Sequence, residues 1–98
     1  MFDFLFIIYS IIKYMNESII YKKLKNYFNP CILKVSNHSS RHKGHQGSPN
    51  TGNSHFFVEI KSSQLKNIPR VSAQRKIYEV LDKEMKEFIH ALEIKIID

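Results

Sequence analysis

His55-Phe56-Phe57-Val58-Glu59-Ile60-Lys61 is the stretch on which the fold turns. Phe56, Val58 and Ile60 alternate with Phe57, Glu59 and Lys61, the period of two that places one set of side chains on each side of a strand. Upstream, residues 36–54 contain no bulky apolar side chain and are built from Ser, Asn, Gly, His and basic residues around Pro49. They read as a long polar loop, and loops of that length in small domains usually carry function. Before the loop, Cys31, Leu33 and Val35 alternate with Ile32, Lys34 and Ser36, a second strand expected to pair with the first. Cys31 is expected as a small buried residue of that strand.

Further upstream, Ile20, Leu24, Tyr27 and Phe28 lie on one face of a helix over residues 16–28, which Asn29-Pro30 terminates. Asn16 is a suitable N-cap with Glu17 in the first turn, so the domain is expected to span residues 15–98, with Met15 as its natural start. Residues 1–14, MFDFLFIIYSIIKY, then form an apolar N-terminal extension, read foremost as an overextended frame. Its rivals are a first helix that continues upstream, or a short membrane-associating tail. A spanning helix needs about 20 apolar residues and a secretory signal needs a basic start, so neither fits and no stable membrane insertion is expected. An exposed apolar patch of this size would drive association.

Downstream of the central strand, residues 62–70 carry turn chemistry at Asn67 and Pro69. A second helix is expected with Ser72 as N-cap and Ala73, Ile77, Val80, Leu81 and Met85 as its apolar stripe. Asp82, Glu84 and Glu87 read as its solvated side. Leu92, Ile94 and Ile96 alternate with Glu93 and Lys95 in a last strand. The order is α-β-β-α-β, an α+β class in which two helices cover one face of a three-stranded sheet, the two-layer solution for a chain of 98 residues.

An apolar fraction of 43% and a charged fraction of 24% are ordinary for a folded domain. Fifteen Lys and Arg against nine Asp and Glu give a net charge of +6, compatible with an acidic partner or with a solvated basic surface. One cysteine excludes an internal disulfide and suits a reducing compartment, so a cytoplasmic location is expected. There is no Gly-rich phosphate loop or nucleophile motif, so an enzyme is not expected.

The five histidines are His38, His42, His45, His55 and His90. The spacing of the three in the loop matches no zinc framework, and residue chemistry alone leaves them as solvated side chains or metal ligands. By the same chemistry His90, between Ile89 and Ala91, is a packing residue.

Several short motifs in sequence share an order with a known family. These are Val35-Ser36-Asn37 leading into Arg41-His42-Lys43-Gly44-His45, then Ser54-His55-Phe56, Arg75-Lys76-Ile77-Tyr78 and His90-Ala91-Leu92. From about residue 15 to the C-terminus the chain resembles BolA-like proteins, particularly the alphaproteobacterial type. The resemblance implies a class II KH-like fold and a monomer that forms a heterodimer with a monothiol glutaredoxin. In such a pair a 2Fe-2S cluster is shared, with thiolates from glutaredoxin and glutathione. The BolA-like partner supplies the histidine that opens the last strand, here His90, and a loop ligand, here His42 first and His45 second. Imidazole ligation raises a cluster's potential relative to thiolate. The role implied is iron-sulfur cluster assembly, transfer or iron sensing, with His55 as a structural or supporting position.

The family also implies an alternative, a DNA-binding transcriptional regulator using Lys66, Arg70, Arg75 and Lys76 around the start of helix two. Against that, the chain has Gln74 where many relatives have His and lacks the Gly-x-x-Gly loop of true KH domains. Asn67 stands where many relatives have Gly, and Asn tolerates the left-handed backbone such a turn requires.

Overall fold

The structure is a computed structural model and describes residues 4–38 and 55–98. The elements in order are α1 (Phe4–Phe28), β1 (Ile32–Asn37), β2 (His55–Lys61), a 3-10 turn (Ser63–Leu65), α2 (Arg70–Val80), α3 (Asp82–Glu87) and β3 (Ala91–Ile96). The sheet order is β1-β2-β3, with β1 antiparallel and β3 parallel to the central strand. A parallel neighbour requires a crossover, and α2 and α3 provide it.

The alternation around Val58 sorts the two sides of the sheet. Phe56, Val58 and Ile60 are buried and join Ile20, Leu24, Phe28, Ala73, Ile77 and Leu81 in one core. On the opposite side Glu59 holds Lys34 of β1 at 3.9 Å and Lys95 of β3 at 3.8 Å. One face is thus closed by helices and the other carries a cross-strand charge ladder.

Four local expectations are corrected. α1 runs unbroken through Met15 and Asn16, so Asn16 lies inside the helix and caps nothing; neither Gly nor Pro interrupts residues 4–28. α2 begins at Arg70, with Pro69 in the N-cap position and its carbonyl accepting the first helical bond from the Ala73 amide at 3.0 Å. Ser72 is therefore a first-turn residue. The expected single second helix is broken at Leu81 (φ −97°, ψ 18°), and Asp82 and Glu84 then sit in the first turn of α3, at its positive end. Cys31 is exposed, because it precedes edge strand β1 just after the chain turns at Asn29-Pro30. Its thiol lies 3.6 Å from the Lys61 carbonyl.

Glu84 also departs from expectation. Asp82 and Glu87 are exposed, but Glu84 is buried, and both its carboxylate oxygens lie 3.0 Å from Lys23 Nζ on α1. The pair fastens α3 to α1. Lys23→Ala leaves a buried carboxylate without its cation and is expected to cost about 1–2 kcal/mol, less than for a fully buried pair because the lysine keeps solvent contact. Urea unfolding measures it, and a loss no larger than that of Lys22→Ala would remove the pair from the stabilising set.

The end of α1 is fastened by the segment after β2. Buried Ser62 donates through Oγ to the Phe28 carbonyl at 2.6 Å and accepts from the Gln64 amide at 3.3 Å, while Gln64 Nε2 donates to the Tyr27 carbonyl at 3.1 Å. These side chains satisfy carbonyls that a helix C-terminus leaves without partners. Ser62→Ala is expected to lower the unfolding free energy by about 1–2 kcal/mol, read as a reduced urea midpoint. Asn29 (φ 44°) and Asn67 (φ 64°) occupy the left-handed region at the two turns, as the turn chemistry of Asn67 anticipates.

Candidate functional site

Three strand ends meet at one edge of the sheet. β2 starts at His55, whose register partner in β3 is Ala91, so His90 immediately precedes that edge. β1 runs the other way and ends there too, Asn37 pairing with Phe56. The His38 amide donates to the His55 carbonyl at 2.8 Å, extending the ladder by one residue. Residues 39–54 therefore leave and return at the edge that carries His90.

His90 is exposed, and its imidazole has no hydrogen-bond, ion-pair or ring partner among the described residues. A solvent-facing imidazole of this kind is free to ligate a metal or donate to a partner. Its expected role as a packing residue, on residue chemistry alone, does not hold. His38 is engaged: its ring stacks on Phe57 with centroids 5.3 Å apart and planes at 8°, and Nε2 shares a 3.0 Å hydrogen bond with Ser36 Oγ. That contact couples two strands on the ladder side of the sheet, and the Ser36-x-His38 spacing opposite Phe57 is the signal that could have indicated it. His55 is half-buried in β2. His42 and His45, the expected loop ligands, lie outside the described residues. Among the described residues no group of three or more His, Cys, Asp or Glu side chains is placed to hold a metal ion.

Cys31 stands at the other end of the strands, its amide donating to the Lys61 carbonyl at 3.0 Å. Six strand steps separate that end from His55, about 20 Å at 3.3 Å per residue. The only thiol of the chain is thus remote from His90, and the donors this chain's sheet edge offers are imidazoles.

The basic residues expected around helix two are all exposed. They do not form one stripe. At 100° per residue Arg75 points away from the core-facing Ala73 and Ile77, while Arg70 and Lys76 fall on opposite flanks. Glu79 lies one turn from both Arg75 and Lys76 and offsets their charge. Lys66 follows the 3-10 turn. A groove of about 500 Å³ between α1 and α2 is lined by Lys23, Asn26, Tyr27, Glu79 and Val80 and contains none of the expected site residues.

The profile of the BolA-like protein family matches residues 24–97. The chain belongs to the BolA-like family. The DNA-binding transcriptional regulator BolA of Haemophilus influenzae is 37% identical over 76 residues, covering 78% of this chain and 70% of that protein. A protein from the cobS 5' region of Sinorhizobium, an alphaproteobacterial relative, is 42% identical over 75 residues, covering 76% and 81%. Among solved structures, the BolA domain of SufE1 from Arabidopsis thaliana superposes with a TM-score of 0.72 at 32% identity, covering 82% of this chain and 87% of that domain. The BolA-like fold and the α-β-β-α-β order expected from the sequence are both present, with the second helix divided in two.

Proposed function

We propose that this BolA-like chain is the histidine-bearing partner of a monothiol glutaredoxin and shares a 2Fe-2S cluster with it and glutathione, in iron-sulfur cluster assembly, transfer or iron sensing. The observation that carries this is the exposed, unengaged His90 at the edge where the segment bearing His42 and His45 leaves and returns. The donor set fits a shared group. An edge offering imidazoles, with the one thiol about 20 Å away, suits a cluster whose thiolate ligands come from another molecule. When bound, the cluster supplies one-electron chemistry at a potential raised by imidazole ligation. The chain's own part is to present His90 just before β3 and a second ligand from residues 39–54, His42 being the first choice there and His45 the second.

The test mixes the chain with a monothiol glutaredoxin and glutathione, reconstitutes the cluster without oxygen and separates the species by gel filtration. A heterodimer with a visible spectrum distinct from that of the glutaredoxin homodimer is the expected result. Recovery of only the homodimer spectrum overturns the proposal.

A second function draws on the Haemophilus relative, whose name is that of a DNA-binding regulator. Lys66, Arg70, Arg75 and Lys76 are exposed here and would contact phosphates. Their scatter around α2 and the neighbouring Glu79 make a weak, non-selective attraction the expected outcome. Fluorescence anisotropy against duplexes at rising salt decides it: sequence-selective binding that survives physiological salt would establish a regulator, and a loss of binding would leave only generic charge attraction. The two functions are compatible in one chain.

A further inference from the structure

α1 is longer than the sheet needs. Its 25 residues extend about 37 Å, whereas strands of six or seven residues extend about 20 Å. Among the described side chains of this helix, those fully buried are Ile20, Leu24 and Phe28. The side of the N-terminal half turned away from the core is apolar and exposed. Leu5, Ile8, Ile12, Met15 and Ile19 follow one another at spacings of three and four, and Phe4, Leu5 and Met15 are 71%, 74% and 54% exposed. Ile7, Ile11 and Tyr14 widen this band on one flank, so it covers roughly 180° of the helix at 100° per residue.

We infer that this half of α1 is a peripheral docking surface for an anionic lipid bilayer. Two observations select lipid over a second copy of the chain. The first is width: a two-stranded coiled coil closes a narrow a/d seam and would leave the flank of Ile7, Ile11 and Tyr14 in water. A helix lying in a bilayer interface buries its whole apolar half, about 5–10 Å deep. The second is charge. Lys22 continues the line of Phe4 five turns on, and Lys25 is exposed beside it, while Glu17 is the one acidic residue between Phe4 and Asn26. Glu17 is half-buried and seven residues before Leu24, on the core side. A parallel two-fold copy would set Lys22 and Lys25 beside the same lysines of its twin, whereas anionic headgroups provide the counter-charge. Tyr14 and Tyr21, both exposed on one flank, suit the boundary between headgroup and hydrocarbon. No helix among the described residues is long and apolar enough to cross a membrane, so the association is in-plane and reversible. It does not depend on the function of His90.

The test is flotation of the full chain with vesicles of phosphatidylcholine alone and of phosphatidylcholine mixed with phosphatidylglycerol. Flotation with the mixed vesicles and much less with the neutral ones is expected. Ile8→Glu/Ile12→Glu removes it. Lys22→Glu/Lys25→Glu weakens partitioning by more than about tenfold, each lysine near an anionic surface being worth about fivefold. Both pairs lie outside the core, and thermal unfolding confirms that the variants fold. Failure of the wild type to float with mixed vesicles overturns the proposal, as does a dimer by light scattering that does not float. Unaltered flotation of either variant overturns it equally.

Discussion

The His90→Ala chain, reconstituted with monothiol glutaredoxin and glutathione, is expected to return the spectrum of the glutaredoxin homodimer. Under the proposed function the spectral difference is expected to disappear because the histidine ligand of the BolA-like partner is gone. The side chain is exposed and unengaged, so its removal is expected to change folding stability by less than about 0.5 kcal/mol, the usual range for surface positions. That separates loss of a ligand from loss of the fold. His90→Cys is expected to restore a heterocomplex with a spectrum shifted toward thiolate ligation and a lower potential. Cys31→Ser, at the opposite end of the strands, is expected to leave the spectrum as it is. His38→Ala breaks the stack on Phe57 and is expected to lower stability slightly while the spectral difference persists. An unchanged spectrum in His90→Ala would remove His90 from the ligand set.

Phe56→Ala is expected to produce the largest loss of stability of any substitution considered, about 3–5 kcal/mol. Phe56 is 2% exposed in the central strand, and its ring meets Phe88 edge to face at 5.7 Å and 74°. Its neighbours come from a helix-covered sheet face and from the end of α3, elements that cannot collapse onto one another when the ring is removed. A domain of this size has about 5–15 kcal/mol of stability in total, so the variant is expected to lie near the threshold of folding. Urea unfolding gives the value, and Phe57→Ala on the ladder side is the control. Equal losses at the two positions would contradict the assignment of the core to the face of Phe56, Val58 and Ile60.

The alternation of those three residues is legible in the sequence because a strand beside one core buries every second side chain. The stripe of Ile20, Leu24 and Phe28 is legible for the corresponding reason at helical spacing. Where one side chain meets a specific partner from a distant element, local pattern carries no signal. Glu84 illustrates this: its spacing resembles that of its exposed neighbours Asp82 and Glu87, and only the approach of Lys23 from α1 permits its burial. The break at Leu81 is similar, since no Gly or Pro marks it. Cys31 fits the period of β1, but periodicity does not say where a strand begins or that it lies at the sheet edge. For the site, the order of elements is enough to bring His90 and both ends of residues 36–54 together, once the third strand is parallel to the second. The exposure of His90 depends on three-dimensional neighbours and could not be read along the chain, whereas the Ser36-x-His38 spacing opposite Phe57 carries a signal for the engagement of His38.

The pairing of β1, β2 and β3 has a consequence for how such a protein can change. Residues 39–54 join two strand ends that are held together by the His38–His55 bond and the ladder behind it. Doubling the length of a segment closed in this way costs only about 0.6 kcal/mol of closure entropy. Its length and composition can therefore be rewritten, by drift or by engineering, while Ser62 and Gln64 hold the far end of the domain together. The edge next to His90 and the end fastened by Ser62 and Gln64 thus lie at opposite ends of the sheet.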